Sequence, residues 1–280
     1  ILVQRQAFSE TSPGTEDWRR CGRALGRTLY IADQLDESES LLRDVLAECR
    51  RTGDHKVKLL VLNDLASVLQ RRARIDEARE LYEEASEGYA NLPGIPGRGN
   101  VLSNLGTLYF ETGQFDKAVD YYQKALDAFD QSERKHTVGI TLAKLGAILR
   151  LLGDSEGAER HYHRAIEAHR ETGDVGQLAD AYGKLANLYS QLGRNSEALD
   201  LHLQAVGSER ERGRSARLGL LLSNLGIHYI AMDRLAESES CFRDALAILN
   251  DFGNQRLLAA AEGGLAENLM ITGRVDEALP

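Results

Sequence analysis

Proline is scarce in this chain. Among its 280 residues there are four prolines, Pro13, Pro93, Pro96 and Pro280, so residues 97 to 279 contain none. That stretch is rich in alanine, leucine, glutamate and arginine, which favour helices, whereas proline interrupts them. The sequence therefore predicts an almost wholly helical structure from residue 97 onward.

Cysteine is also scarce, and its spacing argues against metal or disulfide chemistry. Cys21, Cys49 and Cys241 lie far apart, and no Cys-x-x-Cys pair occurs. Zinc knuckles and disulfide frameworks both need more cysteines at closer or regular spacings. We expect buried thiols in a reducing compartment, and hence a cytoplasmic protein without a bound metal.

Long apolar runs are missing as well. A helix that crosses a bilayer needs ~20 consecutive apolar residues, and the richest segment here, residues 218–232, is interrupted by Ser223, Asn224 and His228. We therefore expect no membrane partner. The chain has no signal peptide and begins at Ile1 rather than at methionine, which predicts that it is a piece of a longer polypeptide.

The charge balance is acidic. Lysine and arginine number 34 and aspartate and glutamate 43, which gives a formal net charge of −9. Proteins that bind nucleic acid directly usually carry a basic excess, so we expect no nucleic-acid partner. Hydrophobic residues make up 42% and charged residues 28%, which is typical of a folded globular chain rather than a disordered one.

One pattern fills the chain, a leucine every forty residues. The residues 102–109, LSNLGTLY, recur as LSNLGIHY at 222–229. Positions separated by a multiple of forty are called equivalent below, and leucine occupies seven of them: Leu25, Leu65, Leu105, Leu145, Leu185, Leu225 and Leu265. The residue after each leucine is glycine or alanine. A fixed period of this kind indicates a repeat architecture in which each unit packs on its neighbours.

Each forty-residue unit has the pattern of two helices. Apolar side chains of residues 101–109 fall on one helical face, and a second apolar stripe covers residues 115–129. Gly113 stands between them as a helix-ending residue, and glycine recurs at 153, 193 and 273. We expect the other second helices to begin near residues 35, 75, 155, 195, 235 and 275. The small residue after each leucine would let the two helices approach closely.

The link at residues 91–100 is unusual because it contains two prolines and three glycines. Its scattered glycines leave a phosphate-binding loop open as an interpretation, although no strand precedes it, as such a loop requires. A rigid turn is the alternative that the prolines favour.

The spacing of small and large apolar residues within a unit resembles the tetratricopeptide repeat family. The matching residues are Leu102, Leu105, Gly106, Tyr109, Ala118, Tyr122 and Ala125. Leucine or tyrosine replaces the family's frequent tryptophan, and the proline that often ends the second helix is missing. The long period is similar to that of kinesin light chains, LGN/Pins-type adaptors and the helical sensor domains of MalT-like and AfsR-like bacterial regulators.

The resemblance implies an all-α fold, a tetratricopeptide-type α-solenoid in which antiparallel helix pairs follow a right-handed superhelix. We expect about seven forty-residue repeats in a single domain over residues 1–280. The repeats would start near residues 16, 56, 96, 136, 176, 216 and 256, with the last one truncated. Residues 1–15 would be the tail of a preceding repeat and a link.

Two common signatures of catalysis are missing. The sequence has no His-Glu-x-x-His and no P-loop pattern, so we predict that the chain is not an enzyme and holds no cofactor. The closest histidines, His161 and His163, would point about 200° apart on a helix and could not share a metal. Acidic pairs such as Asp76 and Glu77 stand at an expected helix start, where the helix dipole favours them.

The remaining candidate is the concave face, which the first helix of each pair lines in the family. The positions equivalent to residue 104 include a polar ladder of Asn104, Lys144, Lys184 and Asn224. Such side chains suit an extended or acidic peptide, and the alternative is that they are merely solvent-facing polar positions. The candidate binding residues are Arg23, Arg27, Asn63, Ser103, Asn104, Thr107, Phe110, Lys144, Arg150, Lys184, Asn187 and Asn224.

Two functions are compatible with this pattern. One is a non-enzymatic scaffold that binds a segment of a partner protein in its concave groove. The other is an effector-sensing regulatory domain of a larger signalling or transcriptional regulator. Apolar edges at the two ends of the solenoid would also allow self-association.

Overall fold

The structure, a computed structural model, describes residues 1–92, 95–129 and 135–278, and across these ranges it consists of helices and turns without a strand. Pro93 and Gly94 of the unusual link lie outside the described residues. The helices are α1 (Leu2–Ser9), α2 (Glu16–Ile31), α3 (Leu35–Thr52), α4 (His55–Arg71), α5 (Ile75–Asn91), α6 (Arg98–Glu111), α7 (Phe115–Ala128), α8 (Lys135–Leu151), α9 (Ser155–Thr172), α10 (Val175–Gln191), α11 (Asn195–Arg212), α12 (Ala216–Ala231), α13 (Leu235–Phe252), α14 (Gln255–Ile271) and α15 (Val275–Ala278). The all-α expectation is confirmed.

The helices alternate as the forty-residue period predicts. The second helices begin at residues 35, 75, 115, 155, 195, 235 and 275. Three residues link the two helices of each pair, and so short a link makes them run antiparallel. Over the described residues there are seven helix pairs, from α2/α3 to α14/α15, as expected, and α1 precedes them.

Each three-residue link contains a residue with a left-handed backbone. At the positions equivalent to 113, the glycines have φ between 73° and 85°: Gly113, Gly153, Gly193 and Gly273. Asp33, Ala73 and Asp233 adopt the same conformation, with φ of 61°, 59° and 58°. Because an L side chain is strained there, the short link imposes this geometry whether or not glycine is present.

The glycines that follow the repeated leucines set the distance between paired helices. A Cβ atom added to Gly106 would lie 2.8 Å from the ring of Tyr122, and one added to Gly146 would lie 2.9 Å from the ring of Tyr162. Both tyrosines are 1% exposed, so neither ring can move aside into solvent. The predicted close approach is confirmed at these positions.

Arginines at the start of three second helices join a repeat to the one before it. Arg194 donates to Glu159 of α9 at 3.0 Å and to Glu197 of its own helix at 2.7 Å, and its guanidinium stacks on the ring of Tyr189 at 3.7 Å. Arg74 with Glu39 and Arg274 with Glu239 repeat the contact between repeats. These side chains are partly exposed, so each pair contributes little to the free energy of unfolding.

The helices form two compact units. The first, Ile1–Glu133, contains α1 to α7, and the second, Arg134–Pro280, contains α8 to α15. In each unit the repeated leucines lie between the paired helices. Leu65 and Leu105 in the first unit, and Leu145 and Leu185 in the second, are at most 1% exposed. The right-handed path and the single domain over residues 1–280 stay predictions.

Candidate functional site

We use the term first-helix face for the surface formed by α2, α4 and α6 in the first unit and by α8, α10 and α12 in the second. In the first unit this face carries a connected series of polar side chains. Nε of Arg23 on α2 donates to Oδ2 of Asp64 on α4 at 2.6 Å. Beside Asp64, Oδ1 of Asn63 accepts a hydrogen bond of 2.9 Å from Nδ2 of Asn104 on α6. Three predicted binding residues, Arg23, Asn63 and Asn104, are therefore engaged with neighbouring repeats.

Asp64 is the charged centre of this series. Burial raises the pKa of Asp64, while the charges of Arg23 and Arg27 and a hydrogen bond from Asn63 act against that rise. The side chain of Asp64 is 11% exposed, whereas that of Arg27 is 57% exposed. Nε of Arg27 lies 3.9 Å from Oδ1 of Asp64, which is too far for a hydrogen bond. Arg27 therefore attracts Asp64 by charge and keeps donors that can serve a ligand.

A pocket of about 220 Å³ opens on the first-helix face of the first unit. Part of its lining is apolar, from the ring of Tyr30 and from Ile31 and Leu42. Leu42 is fully buried and Ile31 is 75% exposed, so the apolar lining extends from the floor of the pocket to its mouth. The polar lining comes from Arg27, Asn63, Asp64 and Ser67. The structure thus brings Arg27 and Asn63, both predicted from the sequence, into one pocket.

The other predicted residues of α6 differ in accessibility. Ser103 is 5% exposed and offers little surface to a partner. Thr107 is half-buried, and its hydroxyl lies 3.0 Å from the carbonyl oxygen of Ser103 and 2.9 Å from the hydroxyl of Tyr122. Phe110 is half-buried, with its ring centroid 5.7 Å from that of Phe115. Of the three, Ser103 is the least suited to direct contact with a ligand.

In the second unit, members of the polar ladder occupy three successive first helices. Lys144 on α8, Lys184 on α10 and Asn224 on α12 are each half-buried. One turn beyond Asn224, Ile227 is 54% exposed, and Asn187, one turn beyond Lys184, is exposed as well. This face therefore mixes ammonium, amide and apolar groups, which suits a polypeptide better than a single small ion.

Arg150 lies on the same face, near the end of α8. Its Nη1 donates to Oε1 of Gln191 on α10 at 2.9 Å. The guanidinium also hydrogen-bonds Tyr162, so only part of its five donors is left for other partners.

Five residues of the first-unit pocket were missed as binding residues at the sequence level: Tyr30, Ile31, Leu42, Asp64 and Ser67. Asp64 occupies the ladder position of its repeat, but its acidic side chain did not fit the expected pattern of amides and lysines. Tyr30 and Ser67 occupy positions that carry different side chains in other repeats. The sequence did contain a signal for three of them, because Tyr30, Asp64 and Ser67 are equivalent to the predicted residues Phe110, Asn104 and Thr107.

The histidines contribute no metal site within the described ranges, where no cluster of three His, Cys, Asp or Glu side chains occurs. Nδ1 of His161 lies 2.7 Å from the carbonyl oxygen of Gly157, and Nε2 of His163 lies 3.1 Å from the hydroxyl of Tyr189. The two rings thus have separate partners, in agreement with their opposed directions on a helix.

A second pair of histidines is buried in the second unit. The ring centroids of His202 on α11 and His228 on α12 lie 5.3 Å apart. His202 is 1% exposed, and its Nδ1 makes no hydrogen bond within the described structure. Burial, together with the charge that His228 can carry, lowers the pKa of His202 to about 4. His202 is therefore neutral at pH 7.

Among the described helices, none combines the length and the apolar composition needed to cross a membrane.

Comparison with known proteins identifies the repeat. A sequence profile of the tetratricopeptide repeat matches residues 21–91, 58–131 and 137–208, about two thirds of the chain. No curated protein matches the chain.

Solved structures with the same fold are similar over most of the chain. BtubC (BKLC) from P. vanneervenii is 23% identical with a TM-score of 0.70, and the alignment covers 79% of this chain and 92% of that one. The apo form of the quorum sensor NprR from B. thuringiensis is 18% identical with a TM-score of 0.80, covering 99% of this chain and 77% of that one. A signal transduction ATPase with a tetratricopeptide repeat sensor, PH0952 from Pyrococcus horikoshii, is 16% identical with a TM-score of 0.80, covering 99% of this chain and 42% of that one. At these identities the likeness concerns the fold, a helical-repeat solenoid suited to protein interaction.

Proposed function

The chain belongs to the tetratricopeptide repeat family, and we propose that it is a non-enzymatic scaffold that binds an extended segment of a partner protein on its first-helix face. The observation that carries this proposal is the ladder of Lys144, Lys184 and Asn224 on α8, α10 and α12. An extended peptide presents its backbone polar groups at regular steps, and these three side chains recur at the same position of successive helix pairs.

The chemistry of the ladder favours an extended, acidic segment. The amide of Asn224 can both donate to and accept from a peptide backbone, whereas the ammonium groups of Lys144 and Lys184 only donate. The two lysines also attract acidic side chains, which speeds association at low salt and makes it sensitive to ionic strength. The exposed side chain of Ile227 adds an apolar contact next to the polar ones.

Charge reversal within the ladder tests the proposal. Peptides that bind the whole chain are first selected from a displayed random library, and their dissociation constants are measured by fluorescence anisotropy. Lys144→Glu combined with Lys184→Glu should weaken binding at least tenfold, which corresponds to about 1.4 kcal/mol. The helix content measured by circular dichroism should not change.

The matched control is Lys124→Glu on the second helix α7, where the lysine is 55% exposed and pairs with Asp120 at 2.6 Å. This variant makes one charge reversal outside the first-helix face and should leave binding unchanged. If the control weakens binding as much as the ladder pair, or if the ladder pair has no effect, the first-helix face is not the binding surface.

A second candidate function is an effector-sensing domain of a larger regulator. It is favoured by the likeness to the quorum sensor NprR and to the tetratricopeptide repeat sensor of PH0952. In that case the peptide would be a signal rather than a stable partner. The full-length gene product distinguishes the two, because a sensor needs an attached output domain whose activity changes when the selected peptide is added.

A further inference from the structure

The pocket on the first-helix face of the first unit is large enough to admit a side chain. Its volume of about 220 Å³ is more than ten times the ~15 Å³ that one water molecule requires on a comparable measure. It opens on the part of the first-helix face that α2 and α4 form, so a side chain of a peptide bound to that part of the face can enter it.

The charges in the pocket disfavour a fully charged occupant. A cationic side chain could pair with Asp64, but Nε of Arg23 lies 2.6 Å and Nε of Arg27 lies 3.9 Å from the same carboxylate, and both would repel it. An acidic side chain could pair with Arg27 but would approach the 11% exposed carboxylate of Asp64. Like charges in a partly buried site cost more than in water because screening is weaker there.

The hydrogen-bonding groups of the pocket favour a neutral group that both donates and accepts. Asp64, when ionised, is an acceptor alone, and Arg27 is a donor alone. A primary carboxamide has two N–H donors and one carbonyl acceptor, so its amide nitrogen can donate to Asp64 while its oxygen accepts from Arg27. An apolar side chain of the same size would leave the lining groups without these bonds.

The apolar lining matches the stem of such a side chain. Tyr30, Ile31 and Leu42 line the pocket together with the polar groups. Methylene groups that pack against them are removed from contact with water, which favours binding. We propose that this pocket binds the carboxamide of a glutamine or asparagine side chain in the partner segment, as a specificity pocket. The proposal rests on the proposed function, because it assumes that a peptide lies on the first-helix face.

The test uses the peptides selected against the whole chain from the random library. The selected sequences should share a glutamine or asparagine at one fixed position. In a synthetic peptide, replacing that residue by glutamate or by the similarly sized methionine should raise the dissociation constant about tenfold or more.

Filling the pocket should abolish this preference. Ser67→Leu places an apolar side chain in the pocket, and the chain should still fold because Tyr82, which contacts Ser67, retains its hydrogen bond to Gln70. A second variant, Arg27→Met at a 57% exposed position, removes the predicted donor with little risk to folding, because methionine has no N–H group. Either variant should bind the amide and methionine peptides within about twofold of each other. The control Arg79→Met, at a half-buried arginine of α5 paired with Asp76, should retain the full tenfold preference.

The outcomes separate this proposal from the proposed function. If the selected peptides depend on Lys144 and Lys184 but share no amide residue, the pocket proposal is overturned and the peptide-binding function stands. The pocket proposal is also overturned if Ser67→Leu and Arg27→Met both keep the tenfold preference. If no peptide can be selected, or if the ladder pair has no effect, the first-helix face does not bind peptides and both proposals fail.

Discussion

Asn63 accepts a hydrogen bond from Asn104, which lies forty-one residues further along the chain on the next first helix. The same offset joins Arg23 to Asp64, Gln70 to Glu111 and Arg150 to Gln191. An offset one residue longer than the repeat places the two side chains at adjacent positions of neighbouring first helices. The first-helix face is therefore held together by polar contacts as well as by the leucine core beneath it.

The Arg23–Asp64 contact predicts that the contributions of these two side chains to the free energy of unfolding are coupled. Arg23→Ala should lower the free energy of unfolding by about 2 kcal/mol, because it leaves a buried carboxylate without its closest cation. The double variant Arg23→Ala with Asp64→Ala should lose less than the sum of the two single variants. Urea denaturation of the four proteins gives the coupling energy. If the double variant loses as much free energy of unfolding as the two single variants together, the contribution of Asp64 to stability does not depend on Arg23.

The left-handed residue in each three-residue link predicts a stabilising substitution. Ala73 has φ of 59°, and glycine adopts that conformation without the strain that a Cβ atom causes. Ala73→Gly should therefore raise the free energy of unfolding by about 0.5–1 kcal/mol. The comparison is Ala47→Gly inside helix α3, an exposed position where glycine should cost about 1 kcal/mol. Thermal or urea denaturation gives the free energy of unfolding of both variants. If Ala73→Gly and Ala47→Gly change it in the same direction, the left-handed conformation assigned to Ala73 is contradicted.

The buried His202 predicts a loss of stability in acid. Its pKa is lowered from 6.5 in the unfolded chain to about 4 in the folded one, first by burial, so the unfolded state takes up the proton first. Stability is complete above pH 6.5 and falls as the pH drops toward 4, by a total of about 3 kcal/mol. His202→Tyr, which copies Tyr82, Tyr122 and Tyr162 at equivalent positions, should flatten this dependence.

The control for the acid effect is His55→Gln at the exposed start of α4. Urea denaturation at pH 7.5, 6 and 5 should give the same pH dependence for this variant as for the parent chain. If His202→Tyr retains the parent's pH dependence, the proton uptake belongs to other groups.

The forty-residue period was enough to predict most of the fold. Leucine at every fortieth residue, followed by a small residue, predicted the helix pairs and the starts of the second helices, because both features report packing between adjacent helices. The left-handed conformation of Asp33, Ala73 and Asp233 was not predicted. Its signals were the equivalence of these positions to glycines and, for the two aspartates, their greater tendency to adopt that conformation.

Less of the candidate binding site could be predicted from the sequence. Equivalent positions identified residues of the first-helix face, including Arg27 and Asn63 of the pocket, but they did not show which side chains bind one another. Asn104, one of the predicted binding residues, donates to Asn63, and the equivalence of positions did not predict this contact. Pairing of this kind depends on how one repeat is rotated against the next. The rotation makes side chains contact residues forty-one positions away instead of forty, and the forty-residue period alone does not predict this difference.

The most direct test of the account maps where a bound peptide lies. A library-selected peptide carrying a photoreactive diazirine residue at each position in turn is irradiated with the whole chain, and the labelled residues are identified by mass spectrometry. The account predicts labels on the first helices, in particular around Lys144, Lys184 and Asn224. Labels concentrated on the second helices α9, α11 and α13, or on α1 and α15 at the ends of the described chain, would contradict it.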